Sequence, residues 1–570
     1  MGMLRSLPLL TLQALLLFPF PGNTSPQYHR SVELNQRQTA SCTNSATDRS
    51  CWGDYDLSTN YYDTVPDTGV TREYWLEVTN TTLAPDGVER IVLAINGTLP
   101  GPTIEADWGD TVVVHLTNSL TNNGSSFHFH GVRQNLTVQN DGVPSVTQCP
   151  VGPGDTYTYT WRATQYGSSW YHSHYSLQAW DGVFGGIKIN GPATANYDTD
   201  LGHLFIQDWS HVTASSQFIF DETSGPPTQD TGLINGTNVW ETSGAYFEQT
   251  FVSGTSYRLR IVNVAIDTFF KFSIDNHTMT VIAMDFVPIE PFETTILSMG
   301  NAQRYDIIVN ASEPVGNYWM RAIPQVTCSA NDNVDGILGI IRYETSTADP
   351  TTSGYAYADS CDDMPMSSLV PYLALNVGSE TIEEDLEVTV GADNATGFIY
   401  WYVAGSSMDL DWSNPTLLQV EDGITGFGAE ENIYEVTEAG SWTYVILEQT
   451  TGRRIRFIFT VSHDYYVLAQ GTGTYASAAP TLQTTNPPRR DVAMLPPEGY
   501  LVIAFLSDNP GTWLMHCHIG WHQSLGLDLQ FVEQYDLIGG LIDNSTMSET
   551  CGNWESYLSL SDLKQDDDGV

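Results

Sequence analysis

The sequence predicts an all-β protein built from three copies of one β-sandwich or barrel unit. Composition is the first reason: 29 Tyr, 15 Trp, 48 Gly and 28 Pro stand against only 21 Lys and Arg, a mix that suits strands and turns. Period-two runs are the second. A Val-rich run covers Asp110 to Asn118, Thr and Tyr alternate from Thr156 to Trp161, and Leu501 to Phe505 is apolar; runs of this kind bounded by turn residues read as strands. The third is a repeated phrase, a turn Gly before an aromatic-bearing strand. It reads Tyr166-Gly167-Ser168-Ser169-Trp170-Tyr171-His172-Ser173-His174, then Val315-Gly316-Asn317-Tyr318-Trp319-Met320-Arg321, then Pro510-Gly511-Thr512-Trp513-Leu514-Met515-His516-Cys517-His518.

A chain of 570 residues has room for two to four domains. Residues 1–24 read as a secretory signal: Arg5 gives the positive start, Leu7 to Phe20 is mostly apolar, and Pro21, Gly22 and Asn23 break the run. Residues 25–64 are expected to be a pro-segment or N-terminal arm. The repeat places domains at 65–192, 193–345 and 368–535, with a linker at 346–367 and a C-terminal tail at 536–570. After the signal there is no run of eighteen apolar residues, so no membrane span is expected. Ten Asn-x-Ser/Thr sequons behind a signal imply a secreted, extracellular glycoprotein. The net charge of −46 argues against nucleic acid and anionic membranes as partners. A monomer is the expected state.

Of 13 histidines, seven fall in three tight groups: His128-Phe129-His130, His172-Ser173-His174, and His516-Cys517-His518 with His522. In a strand, residues i and i+2 share a face. Each His-x-His therefore presents two imidazoles together, and Cys517 points away from His516 and His518. Histidine pairs at matching places in the outer two repeats point to metal ligands rather than structural side chains. Six of the seven cysteines can pair in an oxidising compartment, and Cys517 is the odd one by context. Imidazoles with one thiolate suit copper. Zinc is the competitor, but structural zinc takes several cysteines in short loops, and the other six are not spaced that way.

At these residues the chain resembles the multicopper oxidases, most closely the laccases of ascomycete type. His128-Phe129-His130-Gly131, Trp170-Tyr171-His172-Ser173-His174 and His516-Cys517-His518-Ile519-Gly520-Trp521-His522 match three of that family's four ligand segments. The resemblance implies three cupredoxin-like Greek-key β-barrel or sandwich domains and four copper ions. It implies that Cys517 and His522 hold the type 1 copper, with Leu527 at the axial position, where a non-ligating side chain favours Cu(I). His128 would serve the type 2 copper. His130, His172, His174, His516 and His518 would serve the type 3 pair, with electrons passing from Cys517 through its flanking histidines. The implied reaction is one-electron oxidation of phenolic or aromatic donors coupled to four-electron reduction of dioxygen to water. The implied disulfides are Cys42–Cys51, Cys149–Cys551 and Cys328–Cys361. The terminus Asp567-Asp568-Gly569-Val570 is similar to a tail that plugs a solvent channel, a frayed acidic end being the alternative. Asp230, before Leu233-Ile234-Asn235-Gly236, is the position matched to an acid that accepts a phenol's proton.

The fourth ligand segment departs from the family pattern His-Pro-x-His-x-His-Gly. Counting back from His463-Asp464-Tyr465, its three ligand positions hold Arg456, Phe459 and Val461, none of which offers a lone pair to a metal. Reading each codon's third base with the next codon's first two, from Arg453 to Val461, permits Pro-His-Pro-Ile-His-Leu-His-Gly. A displaced reading frame over this stretch therefore predicts the missing segment. The rivals are a catalytically inactive copper-binding glycoprotein with a decayed segment, and another multicopper oxidase such as a ferroxidase or an ascorbate oxidase.

Overall fold

The strands follow from the alternation. Thr111–Asn118 buries every second side chain, and Thr156–Arg162 beside it does the same, with Tyr157, Tyr159 and Trp161 inward. Such half-buried faces assemble as stacked sheets around a shared core. The computed structural model describes residues 42–343, 347–449 and 457–570, and side chains throughout these except at 457–463. The signal at 1–24, the stretch 25–41 and Arg456 lie outside the described residues.

The sheets fall into three groups along the chain. Two four-stranded sheets use strands between Thr71 and Asn190. A six-stranded and a five-stranded sheet use strands between Thr199 and Tyr343. A nine-stranded sheet gathers strands from Ile382 to Glu533. The three copies of the repeated phrase fold as strands Gly167–His172, Asn317–Pro324 and Gly511–Cys517. The first and second groups each have a core of their own. A third core joins Trp170, Trp180 and Phe184 of the first group to Met515, Cys517, Leu527 and Leu529 of the last. The outer groups are thereby packed together, and the histidine strands lie along that join.

Both ends of the described chain are tied down. The segment from Cys42 packs onto the body, with Tyr61 buried against Tyr166. At the other end the helix Asn544–Leu558 buries Met547, Cys551 and Trp554. Val570 is fully buried among Val143, Val146, Met408, Leu410 and Leu514, and Ser145 Oγ donates to the Gly569 carbonyl at 2.6 Å. The acidic terminus is therefore docked, not frayed. Disulfides join Cys42–Cys51, Cys149–Cys551 and Cys328–Cys361. The Cys149–Cys551 bond closes a loop with a separation of 402 residues, the largest entropic restraint of the three. Among the described residues no helix is long and apolar enough to cross a membrane.

Candidate metal centre

Three short pieces of chain converge at the join. His128 sits on the two-residue strand His128–Phe129, whose register sets His128 opposite His172. His130 follows after the strand ends, held by its backbone N–H to the Trp170 carbonyl at 3.1 Å. His172 closes the strand Gly167–His172, and His174 lies just beyond. From the last sheet, Gly511–Cys517 delivers His516 and Cys517, with His518 next.

The result is a closed group of six buried imidazoles, none more than 4% exposed. Ring centroids are 5.4 Å apart for His128–His172 and His128–His174, 5.2 Å for His130–His518 and 5.0 Å for His174–His516. Nε2 of His174 and Nε2 of His516 face each other at 3.4 Å. The ring nitrogens of His128, His130 and His172 also come within 4.8 Å of one another.

The second ring nitrogens show which atoms are available. His128 Nδ1 lies 2.8 Å from the Asp141 carbonyl, His172 Nδ1 3.0 Å from the Ser173 carbonyl, and His516 Nδ1 3.1 Å from the Cys517 carbonyl. Each geometry assigns the proton to Nδ1 and leaves an Nε2 lone pair facing inward, the arrangement of a ligating histidine. Both nitrogens of His130 and of His518, Nε2 of His172 and Nδ1 of His174 have no hydrogen-bond partner. Buried polar atoms left unsatisfied are costly, and several converging on one point fit metal ions as the missing partners.

Electrostatics agrees. Burial, reinforced by neighbouring rings or Arg304, holds His130, His172, His174 and His516 well below the usual histidine range, and His518 is lowered to about 3. These rings are neutral at any ordinary pH, which is the form that binds metal. His128 is the exception: burial pulls it down, but Asp141 beside Nδ1 more than offsets this and raises it. The Arg304–Asp491 ion pair is buried against the group, with Asp491 Oδ1 3.4 Å from His130 Nε2.

Cys517 faces the other way, as strand alternation requires. Its Sγ lies 3.6 Å from Nδ1 of His522, on the short helix Gly520–Gln523. Leu527 is fully buried beside them and its carbonyl accepts from the Cys517 N–H at 3.1 Å. Burial lowers His522 to about 3. His522 packs on Trp401 with centroids 4.4 Å apart, and the two line a cavity of about 250 Å³.

That cavity has an acidic wall which sequence reasoning missed. Asp230 is not in its lining. Its carboxylate instead accepts from Ser210 Oγ and the His211 N–H, both at 2.8 Å. Asp221 and Asp267 line the cavity. Asp221 is 1% exposed, neither oxygen has a hydrogen-bond partner, and burial with Glu222 nearby pushes its carboxyl up to about 8. Burial, then Asp208 and Asp221, raises Asp267 well above the carboxylate range. Nothing in the local spacing of either Asp distinguishes it from a solvated one.

The backbone of the divergent segment runs beside the ligand strand. In the strand Phe457–Thr472, Phe459 is registered with Cys517, Thr460 with His516 and Val461 with Met515. Residues 459–461 are thus where a further chain segment runs beside the strand that carries His516 and Cys517.

Residues 77–194, 202–346 and 409–536 match three multicopper oxidase family models. The chain belongs to the multicopper oxidases. Among characterised multicopper oxidases it is 48% identical over 563 residues to Laccase-2 of Botryotinia fuckeliana, spanning 96% of each chain. It is 50% identical over 546 residues to Laccase-1 of the same fungus, spanning 94% of this chain and 95% of that one. The crystal structure of the laccase from Botrytis aclada superposes with a TM-score of 0.90 at 47% identity, covering 93% of this chain and all of that one. The protein is an oxidoreductase of the laccase type with the three-domain β-sandwich fold of the multicopper oxidases.

Proposed function

We propose that the six clustered histidines hold three copper ions and that Cys517 and His522 hold a fourth. His128 would serve the type 2 position. His130, His172, His174, His516 and His518 would serve the type 3 pair, and Leu527 would stand at the axial side of type 1. The observation that carries this is the set of inward-facing, unpartnered ring nitrogens next to a buried thiol-imidazole pair 3.6 Å apart. Bound copper supplies one-electron acceptance from the donor at one site and dioxygen reduction at the other. Cys517 is joined covalently to His516 and His518, which gives electrons a through-bond route between the two sites.

The donor class is phenols and related aromatics, entering the cavity beside His522. A phenol losing an electron must also lose its proton. Asp221 and Asp267 line that cavity and Asp230 does not; the Asp221 carboxyl, raised to about 8 by burial, takes that proton only where the pH keeps it ionised. Trp401 supplies an aromatic wall. The docked terminus Asp567-Asp568-Gly569-Val570 acts as a plug. The protein works as a secreted, extracellular monomer with domains at 65–192, 193–345 and 368–535.

Arg456, Phe459 and Val461 favour a second reading, an inactive copper glycoprotein, for the chain as written. The displaced frame is the preferred account, because it restores the whole segment at the place where the backbone meets Cys517 and His516. Sequencing the transcript over Gln449 to Tyr466 and counting copper on both proteins separates the two. The chain carrying His-Pro-Ile-His-Leu-His-Gly should hold four coppers per molecule and consume one dioxygen per four phenols. The chain as written should hold fewer and consume none. Four coppers on the latter would refute the ligand assignment, and a transcript encoding the written residues would favour the inactive reading.

A further inference from the structure

Away from the copper centre, the first group of sheets presents a large aromatic side chain to water. Among the described residues Trp75 is the only exposed tryptophan, at 64%, and it stands on the strand Thr71–Leu83. Its neighbours on that face are polar: Glu73 and Glu77 along the strand, His115 opposite it and Thr158 one strand further. These neighbours are engaged with one another. His115 lies 2.9 Å from both Glu73 Oε1 and Thr158 Oγ1, and its ring stacks beside the indole with centroids 5.2 Å apart. Most of the indole is left uncovered, in a chain that at least half-buries every other tryptophan.

A second observation concerns the edge of the same strand. The neighbouring strand Arg90–Ile95 pairs with it only from Val78 to Leu83, and Asn96 continues the contact from there. The Asn96 N–H donates to the Glu77 carbonyl at 2.9 Å, Oδ1 accepts from the Glu77 N–H at 2.7 Å, and Nδ2 donates to the Trp75 carbonyl at 3.1 Å. The side-chain amide is thus clamped to the residue that carries the exposed indole. Asn96-Gly97-Thr98 is one of the ten sequons, and all three residues are exposed. Attachment of a sugar replaces one of the two Nδ2 hydrogens and leaves the other for the Trp75 bond. Because the amide is clamped, little torsional entropy remains to be lost when the first sugars settle in one place. A pyranose ring has an apolar C–H face that packs on an aromatic ring while its hydroxyls stay in water, a division that suits an amphipathic indole.

We propose that Asn96 carries an N-linked glycan whose core sugars lie over Trp75. The glycan covers the indole and shields the strand edge beside it, where an exposed aromatic would otherwise invite association. The proposal rests on the secreted reading given above, and its test separates the two.

The test uses the whole protein made in a glycosylating eukaryotic host. Mass spectrometry of its peptides should find Asn96 occupied. Hydroxyl-radical labelling of the folded protein should modify Trp75 about threefold more slowly than in Thr98→Ala, because a bulky glycan excludes the reagent. Thr98→Ala removes the sequon but keeps the Asn96 amide and its bonds, so the comparison reads the sugar and not the clamp. Thr98→Ser keeps the sequon and should restore the protection. Enzymatic trimming of the folded wild-type protein to the first sugar gives the same comparison should Thr98→Ala lose stability, and should speed Trp75 labelling. Asn394→Gln, at another sequon, should leave that labelling unchanged. An unmodified Asn96 beside other occupied sequons would overturn the proposal and spare the secreted reading, whereas ten empty sequons would overturn both. An occupied Asn96 with Trp75 labelled as fast as in Thr98→Ala would also overturn it.

Discussion

The outer and middle copies of the repeated strand differ in what covers them. Gly167–His172 and Gly511–Cys517 are buried at every position. In Asn317–Pro324 the burial alternates over Asn317 to Ala322, with Tyr318, Met320 and Ala322 inward and Asn317, Trp319 and Arg321 half exposed. Counted from the turn glycine, Arg321 stands where His172 and His516 stand. It pairs with fully buried Asp275 at 2.8 Å through both Nε and Nη2. The same strand phrase thus carries clustered, buried histidines where two sheet groups cover both its faces and is an ordinary half-solvated strand where they do not. A face sealed from water keeps imidazoles neutral and their lone pairs unspent, and a solvated face does neither.

The largest expected effect comes from breaking an outer strand. Cys517→Ser should abolish the thiolate-to-copper absorption and reduce phenol oxidation by the restored chain to background, while the six-histidine cluster keeps its copper. Absorption spectra and metal counts check this, and loss of copper from both sites together would show that the strand had collapsed instead.

Grafting the ligand onto the middle strand should fail. Arg321→His should bring no additional copper and should cost about 1–3 kcal/mol, because Asp275 is left with a buried acceptor short of its partner. Denaturant unfolding with a metal count measures both, and a gain of bound copper would break the comparison.

Acid should sharpen it. His203 lies outside the proposed ligand set, yet its two ring nitrogens are buried without a hydrogen-bond partner, and burial lowers it to about 4. A depressed histidine contributes stability that is present above its unfolded pKa of about 6.5 and is lost as pH falls through 4. The copper-free protein should therefore weaken between those values, about 3 kcal/mol of it from His203. Copper should protect the ligand histidines but leave the His203 share, which His203→Gln removes. Unfolding free energy against pH, with and without copper, is the measurement, and a flat profile for copper-free protein would contradict the burial argument.

The smallest effect belongs to Leu527→Met. A thioether at the axial side should lower the type 1 potential without changing the copper count. Redox titration of the restored chain reads it, and an unchanged potential would place the axial position elsewhere.

The sequence by itself determined the strand type, the triple repeat, copper as the family's metal, and the seven histidines with Cys517 that are proposed to carry it. All of these rest on short-range rules: period-two alternation fixes which side chains share a face, and His-Cys-His spacing sends a thiol and two imidazoles to opposite sides. The departure at Arg456, Phe459 and Val461 was equally legible, because a ligand is defined by its lone pair. Only the tertiary structure decided which carboxylates line the cavity beside His522. Asp221, Asp230 and Asp267 look alike in sequence, and their difference lies in what packs over them: Asp230 is engaged by Ser210 and His211, while Asp221 is sealed without a partner. The Arg304–Asp491 pair beside His130 also needed the fold. Its members come from distant parts of the chain, and no local pattern encodes a meeting that packing alone brings about.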